Sequence, residues 1–190
     1  FIDRLAVERN ANMTLNNASL TSPGFGKLTL QGIEVAQLQG SLNNNTFTVG
    51  GWTGTGALTG GGGTDTVVVS RNALRFVLGD GVLNIDGGPV MTLEAITIAN
   101  LIGGAGNNTV NVGDWTGTGK LTGGGGNGDV VAATRDADFT LSNSQLAIST
   151  GGTLALSGLR IANLTGGSSD NVFNVSGWKG TGAIIGMGGS

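Results

Sequence analysis

Few side chains in this sequence are suited to binding or catalysis, and the most regularly spaced of them are the three tryptophans. Trp52, Trp115 and Trp178 lie 63 residues apart, and each is followed by TGTG or KGTG. An aromatic face can pack on a sugar ring, so the three residues are candidate carbohydrate-binding side chains. The favoured interpretation is structural, namely a bulky residue at a corner that covers the end of an apolar core.

Groups suited to catalysis are scarce. The 190 residues include no His and no Cys, and Asp and Glu total 12. Polysaccharide lyases and glycosidases need carboxylates gathered on neighbouring strands, whereas the acidic residues here are dispersed along the chain. The sequence therefore predicts a protein that is not an enzyme. A polysaccharide-active enzyme is the least favoured alternative.

The tryptophan spacing belongs to an internal repeat. In that register, residues 1–63, 64–126 and 127–189 align without a gap. Apolar residues recur at matched positions, as at Leu38, Leu101 and Leu164, and at Val49, Val112 and Val175. Polar positions between them vary, which is typical of a packed interior. We interpret residues 1–190 as one continuous segment of a longer chain.

The local pattern is that of short β-strands. Apolar and polar residues alternate in NTFTV, NTVNV and NVFNV, and glycine-rich clusters separate such stretches. Similar glycine-rich strings recur at intervals of about 20 residues. These intervals predict an all-β parallel β-helix, a β-solenoid with about three coils per repeat and about nine in all. Three separate small domains are the alternative, but each could hardly bury enough surface alone.

Composition excludes several other classes of protein. Charged residues make up 11% of the chain and the net charge is −3, so nucleic-acid binding has little electrostatic support. No apolar stretch approaches the roughly 20 residues of a spanning helix, so no transmembrane segment is predicted. The absence of Cys permits an extracellular location without requiring one.

The glycine-rich strings resemble repeats of known families. Residues 60–68, GGGGTDTVV, resemble the calcium-binding nonapeptide GGxGxDxUx of the RTX family. The longer strings, such as LSGLRIANLTGGSSDNVFNVSGWKGTG, look like the repeats of giant bacterial surface and secreted proteins. Those include hemolysin-type and filamentous-hemagglutinin-like adhesins. The resemblance implies export, a β-solenoid fold and an adhesive or scaffolding role.

The RTX resemblance also implies a candidate calcium site. Asp65 matches the aspartate of the motif, whereas Gly128 holds that place in the next repeat and Asp129 is displaced by one residue. In the other glycine-rich turn, Asn45 and its counterparts take the position, and Asn brings no charge. The sequence therefore predicts no cofactor, only a turn that Asn and Gly favour. The alternative is a calcium site, for which Asp65 and Asn45 are the candidate ligands.

These observations predict a structural repeat segment of a long extracellular or cell-surface bacterial protein, forming a rod, stalk or filament. Its expected partners are neighbouring repeats of the same chain and further copies assembled into filaments. The alternative function is a carbohydrate-binding adhesin module, which would bind surface glycans through the three tryptophans.

Overall fold

The computed structural model describes residues 1–189 as an all-β protein. These residues contain 21 strands and no helix, so none of their segments is a helix that could cross a membrane. The strands form one ten-stranded and one eleven-stranded sheet. The predicted all-β class is confirmed, and most strand pairs within the two sheets are parallel.

Each repeat contributes seven strands. The first repeat contains β1 (Arg4–Glu8), β2 (Met13–Asn16), β3 (Ser19–Ser22), β4 (Gly26–Thr29), β5 (Val35–Gln39), β6 (Thr46–Gly51) and β7 (Thr55–Thr59). The second contains β8 (Thr66–Ser70), β9 (Arg75–Gly79), β10 (Val82–Ile85), β11 (Val90–Glu94), β12 (Ile98–Ile102), β13 (Thr109–Asp114) and β14 (Thr118–Thr122). The third contains β15 (Val130–Thr134), β16 (Phe139–Ser142), β17 (Gln145–Ile148), β18 (Thr153–Ser157), β19 (Ile161–Thr165), β20 (Phe173–Gly177) and β21 (Thr181–Ile185).

Successive parts of the chain alternate between the two sheets. The ten-stranded sheet has the order β1-β5-β7-β11-β10-β9-β13-β15-β19-β21, and the eleven-stranded sheet has the order β20-β16-β17-β18-β14-β12-β8-β6-β2-β3-β4. The chain of each repeat therefore enters the two sheets alternately, five times in all. Four of these visits add one strand each, and one adds three consecutive strands. Because five is odd, the second repeat begins in the opposite sheet from the first, and the third begins where the first did.

Those three strands form an antiparallel meander, which the uniformly parallel coils predicted from the sequence do not include. The meanders are β2-β3-β4, β9-β10-β11 and β16-β17-β18. Tight turns between their first two strands produce this reversal, as at Asp80-Gly81, where Asp-Gly is typical of a two-residue hairpin. The last strand of each meander then returns toward the preceding repeat.

One apolar core lies between the sheets. The alternation of the strands decides which side chains enter it: in β6, Phe47 and Val49 are buried while Thr46 and Thr48 are only partly so. Buried residues from both sheets and all three repeats belong to a single cluster. Each fully buried Val or Leu stabilises the fold by about 1.5–3 kcal/mol.

Glycine allows the closest approach of two strands in each repeat. Gly119 in β14 pairs with Ala99 in β12 and has a φ of 146°, a value that L side chains rarely adopt. A Cβ atom at Gly119 would overlap the carbonyl oxygen of Ala99. Gly56 and Gly182 make the same approach in the other repeats, so the position is fixed by backbone packing.

We expect Gly119→Ala to lower the free energy of unfolding by about 2 kcal/mol or more, because the methyl group has no room. Urea denaturation followed by circular dichroism measures the effect. Gly81→Ala is the matched control, since no heavy atom lies within 4 Å of its Cβ position. Equal effects of the two substitutions would contradict the close approach of β14 and β12.

Candidate functional site at the repeat junctions

Asp65 lies in the glycine-rich turn between the first and second repeats and is 0% exposed. Its Oδ1 atom accepts a hydrogen bond of 2.7 Å from the backbone N–H of Asn45, in the preceding repeat. Its backbone carbonyl accepts hydrogen bonds from the N–H groups of Thr97 and Ile98, in its own repeat. Asp65 therefore joins two repeats through one residue.

Asp129 repeats this arrangement at the next junction and is also 0% exposed. Its Oδ1 atom accepts a hydrogen bond of 2.8 Å from the N–H of Asn108, and its carbonyl accepts from Arg160 and Ile161. The sequence alignment placed Gly128 opposite Asp65, but the structure places Asp129 there. The second glycine-rich turn is one residue longer, which moves the aspartate along by one.

Asp3 is the corresponding residue of the first repeat, and sequence reasoning missed it. Its backbone carbonyl accepts hydrogen bonds from Glu34 and Val35, as those of the other two aspartates do from the matched residues. An arginine follows each aspartate six residues later, at Arg9, Arg71 and Arg135. This recurring spacing was the signal available in the sequence. The gapless alignment does not show this spacing in all three repeats, because the first strand of the second repeat begins one residue earlier than the 63-residue register places it.

The arginines form a second link between repeats. The guanidinium of Arg71 donates hydrogen bonds to the carbonyl oxygens of Gly50 (2.9 Å) and Trp52 (3.2 Å) in the first repeat. Arg135 donates in the same way to the carbonyl of Trp115, at 3.0 Å. Hydrogen bonds from a charged donor are stronger than neutral ones, so each arginine ties its repeat to the tryptophan loop of the repeat before it.

The tryptophan side chains themselves are part of the core. Trp52 and Trp115 are 1% exposed, and Trp178 is partly buried against the same cluster. The indole N–H groups of Trp52 and Trp115 donate to the carbonyls of Thr55 and Thr118, each at 3.3 Å. Neither ring offers a face to a sugar. The arrangement favours the structural interpretation of these two residues over the carbohydrate-binding one.

The surroundings of Asp65 are a poor match to a calcium site. Its Oδ2 atom is buried without a hydrogen-bond partner, as is that of Asp129. However, Oδ1 is engaged by Asn45, and the side-chain oxygen of Asn45 accepts the N–H of Ser41 at 3.0 Å. Calcium takes six to eight oxygen ligands, and residues 1–189 contain no cluster of three or more His, Cys, Asp or Glu side chains able to hold a metal. Calcium binding by Asp65 and Asn45 stays a prediction.

A third polar contact shapes the outer turn of each repeat. The exposed Asp136 carboxylate accepts hydrogen bonds from Asn171 and Ser169, and these hold the pKa of Asp136 below its ordinary value. Asn10 and Asn72 take its place in the other repeats and accept backbone N–H groups there. Since a neutral Asn serves equally at this position, its role is to support a turn.

Comparisons with known proteins identify no family for this chain. No protein-family model matches it, and neither a curated protein nor a solved structure does. The junction residues are therefore interpreted from their geometry alone.

We expect Asp65→Ala to lower the free energy of unfolding by about 1–3 kcal/mol, because the buried N–H of Asn45 loses its acceptor. Asp65→Asn keeps an oxygen that can accept that N–H, so it should cost less. Chemical denaturation measures both, and exposed Asp86 provides the control Asp86→Ala, expected within about 0.5 kcal/mol of the unmodified chain.

Thermal melts with calcium or a chelator separate the two interpretations of Asp65. If Asp65 is only a hydrogen-bond acceptor, the melting temperature of each variant should be the same with calcium as with the chelator. A calcium-dependent rise that Asp65→Asn abolishes would instead establish the metal site.

Proposed function

We propose that this chain is a rod-forming segment of a long extracellular or cell-surface bacterial protein, and that it performs no catalysis. The two sheets would be walls of a β-solenoid with about three coils per repeat, extended by adding repeats. The resemblance to hemolysin-type and filamentous-hemagglutinin-like repeats supports the location and the scaffolding role.

One observation carries the proposal: the buried aspartate and the arginine that recur at the junctions join one repeat to the next. Asp65 and Asp129 accept hydrogen bonds from the preceding repeat, and Arg71 and Arg135 donate to it. A binding or catalytic protein would instead direct recurring polar groups at a ligand. Side chains that link each repeat to the one before it would instead support a chain that is extended by adding repeats.

A second supporting observation concerns the dimension that grows with repeat number. Eleven strands stacked about 4.8 Å apart span about 50 Å. Each further repeat would add three or four strands to each sheet without widening them. Such a chain grows longer with each added repeat, as a stalk or filament would.

The proposal is tested by a duplicated chain, residues 1–189 joined directly to a second copy, in small-angle X-ray scattering. A rod predicts a maximum dimension near 100 Å, about twice that of the single chain, with an unchanged cross-section. The control is the same duplication with a flexible Gly/Ser linker, which frees the two halves to tilt. A compact particle whose cross-section grows would overturn the rod.

A further inference from the structure

The glycine-rich turn between β14 and β15 contains a dipeptide that occurs nowhere else in the chain. Asn127 is followed there by Gly128, and no other asparagine of the sequence precedes a glycine. The equivalent turn between β7 and β8 has the single residue Thr64 in place of these two. Asn127 and Gly128 therefore belong to the second junction alone, and the repeat does not account for them.

An asparagine that precedes a glycine is especially prone to a reaction between its side chain and the main chain. The nitrogen of the following residue attacks the side-chain Cγ atom and closes a ring. Glycine favours this step because it has no Cβ atom to hinder the approach, and because its backbone adopts more conformations than that of any other residue. With asparagine, the leaving group of the step is ammonia.

The side chain of Asn127 is exposed, and within residues 1–189 it makes no hydrogen bond. Neighbouring turn asparagines differ in this respect. Asn44 accepts the N–H of Thr64 at 2.7 Å, and Asn107 accepts that of Gly128 at 2.9 Å. Because no such bond holds the amide of Asn127, its Cγ atom is free to rotate toward the Gly128 nitrogen.

The main chain around Asn127 is able to deform as the ring closes. Four glycines precede it at positions 123–126, and Gly124 has a φ of 108°. Asn127 and Gly128 both lie outside the strands. The N–H of Gly128 donates to the side chain of Asn107 rather than to the main chain of a neighbouring strand. Its release therefore breaks no hydrogen bond between strands.

We propose that Asn127 is a site of spontaneous deamidation, which converts it to aspartate and isoaspartate with water as the co-reactant. The nitrogen of Gly128 forms a bond to Cγ of Asn127, and the bond from Cγ to Nδ2 breaks. Nδ2 leaves as ammonia and takes up the proton that the Gly128 nitrogen loses. Water then opens the ring. Cleavage of the new bond to Cγ gives aspartate, and cleavage of the original peptide bond gives isoaspartate.

Both products place a carboxylate in the second junction, two residues before the buried Asp129. Asp129 already carries one oxygen that is buried without a partner, while the other accepts the N–H of Asn108. Like charges repel, so a further carboxylate in this turn is unfavourable. The second junction is thus weakened by the reaction, whereas Thr64 leaves the first junction unreactive. This chemistry does not depend on whether the chain forms a rod.

The test is incubation of the 190-residue chain in neutral buffer, followed by digestion and mass spectrometry of the peptides. Asn127 should carry most of the deamidated product, as a mixture of aspartate and isoaspartate. Each converted chain gains one negative charge over the formal net charge of −3, which ion-exchange chromatography resolves. The matched control is Asn127→Gln, whose longer side chain would have to close a larger ring and should give no product at this position.

Asn107 provides a second variant, because its side chain holds the N–H of the attacking nitrogen. Asn107→Ala should raise the rate of deamidation at Asn127 about fivefold, the factor that one neutral hydrogen bond contributes. Asn44→Ala makes the same change at the equivalent turn of the first repeat, where Asn44 accepts the N–H of Thr64. It should leave the rate at Asn127 unchanged.

The same chain unfolded in guanidinium chloride gives the rate of the unrestrained sequence. A folded chain that converts at Asn127 within about tenfold of that rate supports the site. Slower conversion would overturn it, because the folded turn would then keep the Gly128 nitrogen away from Cγ. Equal conversion at other exposed asparagines, such as Asn43, would also overturn it, since the reaction would not depend on the glycine.

Discussion

Backbone hydrogen bonds across the junctions are the constraint on which the rest of this structure depends. No repeat completes its own sheets: β8 lies between β6 of the first repeat and β12 of its own, and β11 pairs with β7. A strand that lacked such a neighbour would expose its N–H and C=O groups. The apolar core follows from this arrangement, since it is continuous across the three repeats and a 63-residue unit alone would bury too little surface.

The side chains at the junctions make this stacking specific. A hydrogen bond from a backbone N–H to a buried carboxylate, as from Asn45 to Asp65, fixes the position of one turn over another. It also carries a cost, because the second oxygen of Asp65 is buried without a partner. If the strands slipped by one residue, the hydrogen bond to Asp65 would be lost, while the cost of its buried, unpaired oxygen would remain. The aspartate therefore selects a register, which parallel strands of similar apolar residues would otherwise specify weakly.

Much of the fold could be predicted from the sequence, and the exceptions have physical reasons. Alternating residues and glycine clusters predicted short strands correctly, because burial of every second side chain leaves a direct mark on the sequence. Asp80-Gly81 between two alternating stretches is a hairpin signal, but the meander was not predicted, because the matched turns Asn17-Ala18 and Asn143-Ser144 lack the glycine. A gapless alignment matches Asp3 with Asp129 and Arg9 with Arg135 but leaves Asp65 and Arg71 out of register by one residue, so it does not show that every repeat carries the pair. A one-residue shift costs little in a glycine-rich turn, where the backbone can absorb it.

The odd number of sheet visits has a consequence for the outer surface. Equivalent strands of successive repeats lie in opposite sheets, and those of the first and third repeats lie in the same sheet. Any surface feature returns to the same side only after two repeats, and the spacing of Asp3 from Asp129 and of Arg9 from Arg135 is 126 residues in both cases. The first and third repeats also share the register that the second departs from. A partner that lies along one of the two sheets would therefore meet a period of two repeats, with odd and even repeats free to diverge in sequence.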